Sequence, residues 1–137
     1  MKLQTATRLG LYAILELARD PAQTLSSADL AERFGVSTHS LAKVLGTLSA
    51  AGLVQGGRGA SGGYRFTGNR RRITLMDIVA LFEPAPGNRA KEAGEDTEIG
   101  AALQRVLTEV DEIAEATLRS ISLETLLTHG GLHPRAK

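Results

Sequence analysis

Residues 53 to 66, Leu-Val-Gln-Gly-Gly-Arg-Gly-Ala-Ser-Gly-Gly-Tyr-Arg-Phe, place two short apolar runs around a glycine-rich, arginine-bearing tip, directly after a pattern that reads as helix-turn-helix. That combination predicts a winged DNA-binding domain. A two-stranded ribbon carrying Arg58 and Arg65 can lie along a phosphate backbone or enter a minor groove, while the helix before it occupies the major groove.

The elements upstream of the ribbon follow from periodicity and punctuation. From Thr7 to Arg19 apolar residues fall on nearly every face (Leu9, Leu11, Tyr12, Ile14, Leu15, Leu17), which marks a buried helix ended by Asp20-Pro21. Ser26 or Ser27 caps a second helix whose Ala28, Ala31 and Phe34 share a face, and Gly35 supplies the left-handed residue that stops it. Ser37 then caps a third helix, with Leu41, Val44, Leu45 and Leu48 inward at the spacing i, i+3, i+4, i+7. Gly52 suits a left-handed C-cap, where Leu53 packs back on Leu48.

With that stripe inward, Thr38, His39, Ser40, Ala42 and Lys43 lie on the exposed N-terminal turns of the third helix, the turns that meet base edges in this kind of motif. Serine and threonine hydroxyls and an imidazole read bases, whereas a lysine suits phosphate. The competing reading makes Ser37 a cap alone and leaves His39 and Ser40 as solvated surface. The expected DNA-binding set is Lys2, Arg8, Ser37, Thr38, His39, Ser40, Lys43, Arg58, Gly59, Ser61, Gly62, Gly63, Tyr64 and Arg65. The ribbon's glycines do not form a nucleotide-binding loop, because such a loop joins a strand to a helix N-terminus and this one joins two strand-like runs. They permit turn conformations and close approach of backbone to DNA. Arg70-Arg71-Arg72 reads equally well as a solvated turn or as phosphate contacts.

Thr74 and Asp77 form a capping-box variant opening a helix that runs to Glu83 and is stopped by Pro84. Residues 84–98 hold almost no large apolar side chain and are read as an exposed, mobile loop, its acids solvated rather than gathered on a cation. Beyond it Ile99, Leu103, Val106, Val110, Ile113 and Thr117 recur at spacings 4, 3, 4, 3, 4, flanked by Leu107, Ala114 and Leu118. This two-sided apolar helix can rest one side on its own domain and the other on a twin, so those six residues are the expected dimer interface. A short helix at 122–127 follows. His129 and His133 are four apart, but Gly130, Gly131 and Pro134 argue against a helix that would align them as metal ligands.

The predicted fold is therefore mainly α with a small β-hairpin wing. Residues 1–83 form a winged helix-turn-helix domain, 84–98 a loop, 99–128 a dimerisation helix with a short C-terminal helix, and 129–137 a flexible tail. At 137 residues, 42% hydrophobic and 23% charged, the chain is long enough for one core plus an appendage. No apolar run approaches the roughly 20 residues of a membrane span, and the first residues lack a signal peptide's apolar core, so a cytoplasmic location is expected. Charge is divided unevenly. Residues 1–75 hold ten Lys/Arg against four Asp/Glu, net +6, and the remainder six against eleven, net −5, as for a nucleic-acid-binding module joined to an oligomerisation or sensing element.

Across residues 2 to about 128 the chain resembles the Rrf-type (IscR/NsrR-like) winged helix-turn-helix regulators. The resemblance rests on Lys2-Leu3-Gln4-Thr5, Gly35-Val36-Ser37, Ala51-Gly52-Leu53-Val54, Phe82-Glu83-Pro84, 121–126 (Ile-Ser-Leu-Glu-Thr-Leu) and, most specifically, the wing Arg58-Gly59-Ala60-Ser61-Gly62-Gly63-Tyr64. It implies that the residues matching Ser37, His39 and Ser40 lie in the major groove and that the residue matching Arg58 enters the minor groove. Members of the family commonly carry three cysteines that hold an iron-sulfur cluster. The matching stretch here, Ala90 to Ala101, has no cysteine and no histidine. The expectation is thus a homodimeric transcriptional regulator, a repressor on a palindromic operator in double-stranded DNA, with no metal or cofactor and an unknown small-molecule effector. An enzyme is disfavoured, since no nucleophile, base and orienter stand at recognisable spacing. The alternative is a protein-interaction scaffold that keeps the fold without operator binding.

Overall fold

Helix α1 (Thr5–Ala18) is buried over most of its circumference, and the other elements assemble around it. The structure, a computed structural model, describes residues 2–57, 62–84 and 90–134. Along α1, Ala13, Ile14, Leu17 and Ala18 are wholly enclosed. Tyr12 departs from the all-round burial that its pattern suggests: it is 42% exposed and stacks on Phe34, the ring centroids 5.3 Å apart. The ring thus covers the seam between α1 and α2 (Ser27–Phe34) while one face stays in water.

Polar contacts fix the angle of α1. Its N-cap residue, Gln4, offers no side-chain cap, and no acid stands in its first turn. Glu83, from the end of α4 (Leu75–Phe82), fills the role, accepting the Gln4 backbone N–H at 3.1 Å and the hydroxyl of the buried Thr7. A carboxylate there satisfies an orphan donor and opposes the helix dipole. One turn on, α1 and α4 cross at Gly10, where a Cβ would lie 2.4 Å from the Phe82 ring. The buried Glu16 binds Arg33 of α2 at 2.7 Å and Arg19 at 3.6 Å, so both arginines serve the fold.

Helices α2 and α3 (Thr38–Ala50) form the predicted pair, joined through Gly35 in the left-handed region at φ 67°. The inward residues of α2 are Leu30 and Ala31, while Ala28 faces out, contrary to the predicted stripe. Burying the larger side chain removes more apolar area from water, and it turns the helix accordingly. Ser26 and Asp29 form a reciprocal capping box. The Ser26 backbone N–H first, then its hydroxyl, hold the Asp29 carboxyl below the usual carboxylate range. The box therefore stabilises fully above the ordinary carboxylate value and loses that contribution as pH falls below it and through the lowered value of the folded state. Leu25, Val36, Ile73 and Ile121, each one residue before a cap, all join the core cluster, as do Leu30, Leu41, Ile78 and Leu126, which follow those caps by four residues. This is the arrangement of a hydrophobic staple at four helix entries.

Strands β1 (Val54–Gly56) and β2 (Tyr64–Phe66) pair antiparallel, with Val54 opposite Phe66, Gln55 opposite Arg65 and Gly56 opposite Tyr64. Val54 and Phe66 enter the core while Gln55 and Arg65 face solvent, the alternation a half-buried ribbon requires. At the end of α3, Gly52 at φ 76° and the Leu53 N–H to Leu48 C=O bond of 3.1 Å complete the predicted C-cap. Helix α5 (Glu98–Arg119) runs for 22 residues without burying one of them. Within residues 84–98, the described part from 90 onward includes a turn at Gly94 that meets the first turn of α5, where a Cβ at Gly100 would strike the Gly94 carbonyl.

The chain then returns. Thr74 and Ser122 form an antiparallel bridge, and Leu123 and Leu127 of α6 (Leu123–His129) enter the core around α1. The last helix thus belongs to the body around α1, a placement absent from the linear pattern that grouped it with the long helix before it. Residues 129–137, expected as a flexible tail, are held in their described part, 129–134. His129 closes α6, Leu132 N–H donates to Leu127 C=O at 2.9 Å, and Arg19 Nε donates to the His133 carbonyl at 3.0 Å.

Candidate nucleic-acid interface

On α3 the buried side is Leu41, Val44, Leu45 and Leu48, and the opposite side presents Thr38, His39, Ala42, Lys43, Gly46 and Ser49. A rotation of 100° per residue puts these six on one continuous stripe. Ser37 accepts the Ser40 backbone N–H at 3.1 Å and donates its hydroxyl to Ser40 Oγ at 2.8 Å. The cap therefore occupies Ser37, and Ser40, half-buried, keeps its own hydroxyl proton for a partner. Lys2 and Arg8 are exposed at the start of α1.

Arg58, Gly59 and Ser61 lie outside the described residues. The rest of the ribbon divides. Arg65 is exposed and braced across the strands by Gln55, its Nη2 donating to Oε1 at 3.0 Å, so its guanidinium is held on the outer face. Gly62 and Tyr64 are half-buried, and the Tyr64 ring packs on the core cluster beside Gly56. Gly63 does not belong on a DNA-facing surface, because it is buried. A Cβ there would lie 2.8 Å from the Leu25 carbonyl group and 2.9 Å from Thr24 Cγ2. Leu25 adds a third backbone to the ribbon, its N–H donating to the Tyr64 carbonyl at 2.9 Å and its carbonyl accepting the Tyr64 N–H at 2.7 Å. The only sequence signal for Leu25 is its position before the Ser26 cap.

Of the arginine triplet, Arg71 and Arg72 are exposed, but Arg70 is committed inward. Its Nη1 donates to the Ala18 carbonyl at 3.0 Å, its Nε meets Glu124 Oε2 at 2.5 Å, and its carbonyl accepts the Glu124 N–H at 2.8 Å. It clamps the turn after β2 to the ends of α1 and α6. Arg70→Ala is expected to cost about 1 kcal/mol of stability, at the lower end for charged hydrogen bonds because both side chains are about a third exposed, at 37% and 32%. Thermal melting reads that loss. The slope of log DNA affinity against log salt should stay as in the parent, and a slope smaller by about 0.9 would make Arg70 a phosphate contact instead.

The predicted dimer residues stand on one side of α5, open to solvent among the described residues: Ile99 is 83% exposed, Leu103 and Val106 56%, Val110 47% and Ile113 68%, with Thr117 on the same face. Leu107, on the edge of this stripe, is 45% exposed. Leu118, near the C-terminus, packs on the core.

A helix pair whose second member offers a polar face beside a two-stranded ribbon, on one shared core, defines a winged helix-turn-helix DNA-binding protein. The chain belongs to the Rrf2 family, whose sequence model, described as iron-dependent transcriptional regulator, matches residues 3–129. It is similar to BadM of Rhodopseudomonas palustris, named as an HTH-type transcriptional regulator, with 48% identity over 127 residues, 93% of this chain and 81% of that one. It is also similar to the structure of CymR, the global cysteine regulator of B. subtilis, at 30% identity and TM-score 0.75, covering 94% of this chain and 98% of the other. The structure of T. potens IscR matches at 27% identity and TM-score 0.75, covering 99% of this chain and 94% of the other. The protein is accordingly a DNA-binding transcriptional regulator rather than an enzyme.

The iron dependence in the family description does not fit this chain's donor set. There is no cysteine anywhere in it, so no thiolate can ligate an iron-sulfur cluster. Among the described residues no three His, Asp or Glu side chains gather as metal ligands. Nor is any described helix long and apolar enough to cross a membrane.

Proposed function

We propose that the protein is a cytoplasmic homodimeric repressor that binds a palindromic operator and carries no iron-sulfur cluster. The observation that carries the reading is α5: its large apolar residues align on one face and stay about half-exposed or more against the described residues of their own chain. A patch of that kind on a soluble domain marks an interface. A two-fold axis across α5 sets two copies antiparallel, with one DNA-reading body at each end. A helix of 22 residues is about 33 Å long, close to the roughly 34–36 Å between half-sites one turn apart.

On each half-site α3 lies in the major groove, Thr38, His39 and Ser40 meet base edges, Lys43 and Arg65 meet phosphates, and Arg58 reaches the minor groove. Lys2 and Arg8 extend the phosphate contacts from α1. Switching comes from a small molecule that binds two conformations of the dimer unequally, acting where the 84–98 loop joins the bodies to α5.

A gel shift with the DNA upstream of the protein's own gene, at several salt concentrations, tests the reading. Retarded DNA at two chains per site, with log affinity falling against log salt, is expected. Lys43→Ala and Arg65→Ala should each lower the slope by about 0.9 per half-site contact. A salt-independent or absent shift would favour a scaffold that has kept the fold without operator binding.

A further inference from the structure

Glycine is, after proline, the least favourable residue in a helix interior, yet Gly46 stands in the middle of α3, four residues before its end. None of the usual reasons for a glycine applies to it. Its backbone is not in the left-handed region, unlike Gly35 and Gly52 at the two helix ends. Among the described residues no neighbour crowds it, since a Cβ at Gly46 would meet nothing within 4 Å, whereas one at Gly10 would strike Phe82 and one at Gly63 the backbone of Leu25. The fold would accept alanine there and be firmer for it.

The direction of Gly46 supplies what the fold does not. On a helical projection it lies between Ala42 and His39, near the middle of the exposed stripe, with Thr38 and Ser49 to one side and Lys43 to the other. A helix with its side chains is about 10–12 Å across and the major groove about 12 Å wide, so the residues at the centre of the face decide how deeply the helix seats. Removing the side chain there lets the backbone of the third turn sink toward the base edges, and His39 and Lys43 descend with it.

We propose that Gly46 is a specificity-determining residue: its missing side chain sets the depth of α3 in the major groove, and so the reach of His39 and of the helix N-terminus to the bases. The proposal rests on the DNA-binding reading of α3 and assigns this glycine to the DNA, not to the protein. Depth matters to base contacts more than to phosphate contacts, because base-edge hydrogen bonds need close, directed approach and phosphate attraction acts over longer range.

The test compares the parent with Gly46→Ala and Gly46→Leu, measuring melting temperature, affinity for the operator and affinity for a random duplex of equal length. Gly46→Ala should melt about 3 °C higher, bind the operator at least tenfold more weakly and bind the random duplex within twofold of the parent. Gly46→Leu should lose the difference between operator and random duplex. A Gly46→Ala protein that keeps operator affinity would overturn the proposal, and one that melts lower would do so too by returning the glycine to the fold. A parent chain that binds operator no better than random duplex would instead remove the operator-binding reading on which the proposal stands.

Discussion

Val110→Glu is expected to convert the protein to a monomer and to cut operator affinity at least a hundredfold. Val110 sits mid-way along the uncovered face of α5, between Val106 and Ile113, and is 47% exposed in the single chain. In an α5–α5 seam it would be enclosed. A carboxylate there has no basic partner within one helical turn on its own helix, since Glu109, Asp111, Glu112 and Ala114 surround it and Arg105 stands five residues back. Leaving such a charge unpaired in a seam costs several kcal/mol, and about 2.7 kcal/mol already corresponds to a hundredfold in an equilibrium constant. Operator affinity falls with the dimer, because the second half-site then has to be bound from solution rather than through a tether. Sedimentation and a gel shift on one sample check both parts. Because the side chain is half-exposed in the monomer, the body itself should still melt cooperatively; an unchanged dimer would put the seam elsewhere.

Gly63→Ala is expected to have the next largest effect, this time on the ribbon. The added Cβ would stand 2.8 Å from the carbonyl carbon and oxygen of Leu25, and a backbone cannot swing aside as a flexible side chain can. Either Leu25 leaves the ladder or β2 shifts away from it. Both routes sacrifice the paired Leu25–Tyr64 bonds of 2.9 and 2.7 Å and open a gap at the N-terminus of α2. At about 1 kcal/mol per bond plus the strain of overpacking, a loss of about 2–4 kcal/mol follows. The melting temperature should fall, and hydrogen exchange at the Leu25 and Tyr64 amides should accelerate before exchange in α1 does. Operator affinity should weaken while the dimer persists, because the atoms the added carbon meets first belong to Thr24 and Leu25 and not to α5. Parent-like melting and exchange would mean that the ribbon tolerates the extra carbon, and the role given to Gly63 would be wrong.

These two positions also show where sequence reasoning reached and where it stopped. The α5 stripe was legible because a 4, 3 repeat of large apolar residues has one geometric meaning on a helix, whatever covers it. The α3 face was legible for the same reason: once Leu41, Val44, Leu45 and Leu48 point inward, Thr38, His39 and Lys43 have nowhere to go but out. In the sequence Gly63 looks like the other ribbon glycines, a site of close approach to DNA. The close approach is real, but the approaching backbone is that of Leu25. Arg70 was indistinguishable from Arg71 and Arg72 in a run of three, and only the carbonyl of Ala18 and the carboxylate of Glu124 single it out.

By itself the sequence determined most of what is decided within about one helical turn or one strand register, the rotation of α2 that turns Ala28 outward and Leu30 inward excepted. That covers the caps at Ser37 and Thr74, a cap at Ser26 or Ser27, the left-handed stops at Gly35 and Gly52, the inward stripe of α3, the two runs of the ribbon and the apolar face of α5. Each depends on neighbours a few residues away, so the pattern and its physical cause are written side by side in the chain. The tertiary structure alone decided the rest: Glu83 closing the N-terminus of α1 from 79 residues beyond Gln4, Arg70 reaching back 52 residues to Ala18, Leu25 completing the ribbon, and α6 returning to the core. Those partners meet because burying the apolar faces of α1, α3 and α4 against one another leaves particular backbone groups and carboxylates adjacent. A backbone donor can be satisfied by any acceptor that packing brings within reach, and no local pattern names which one that will be.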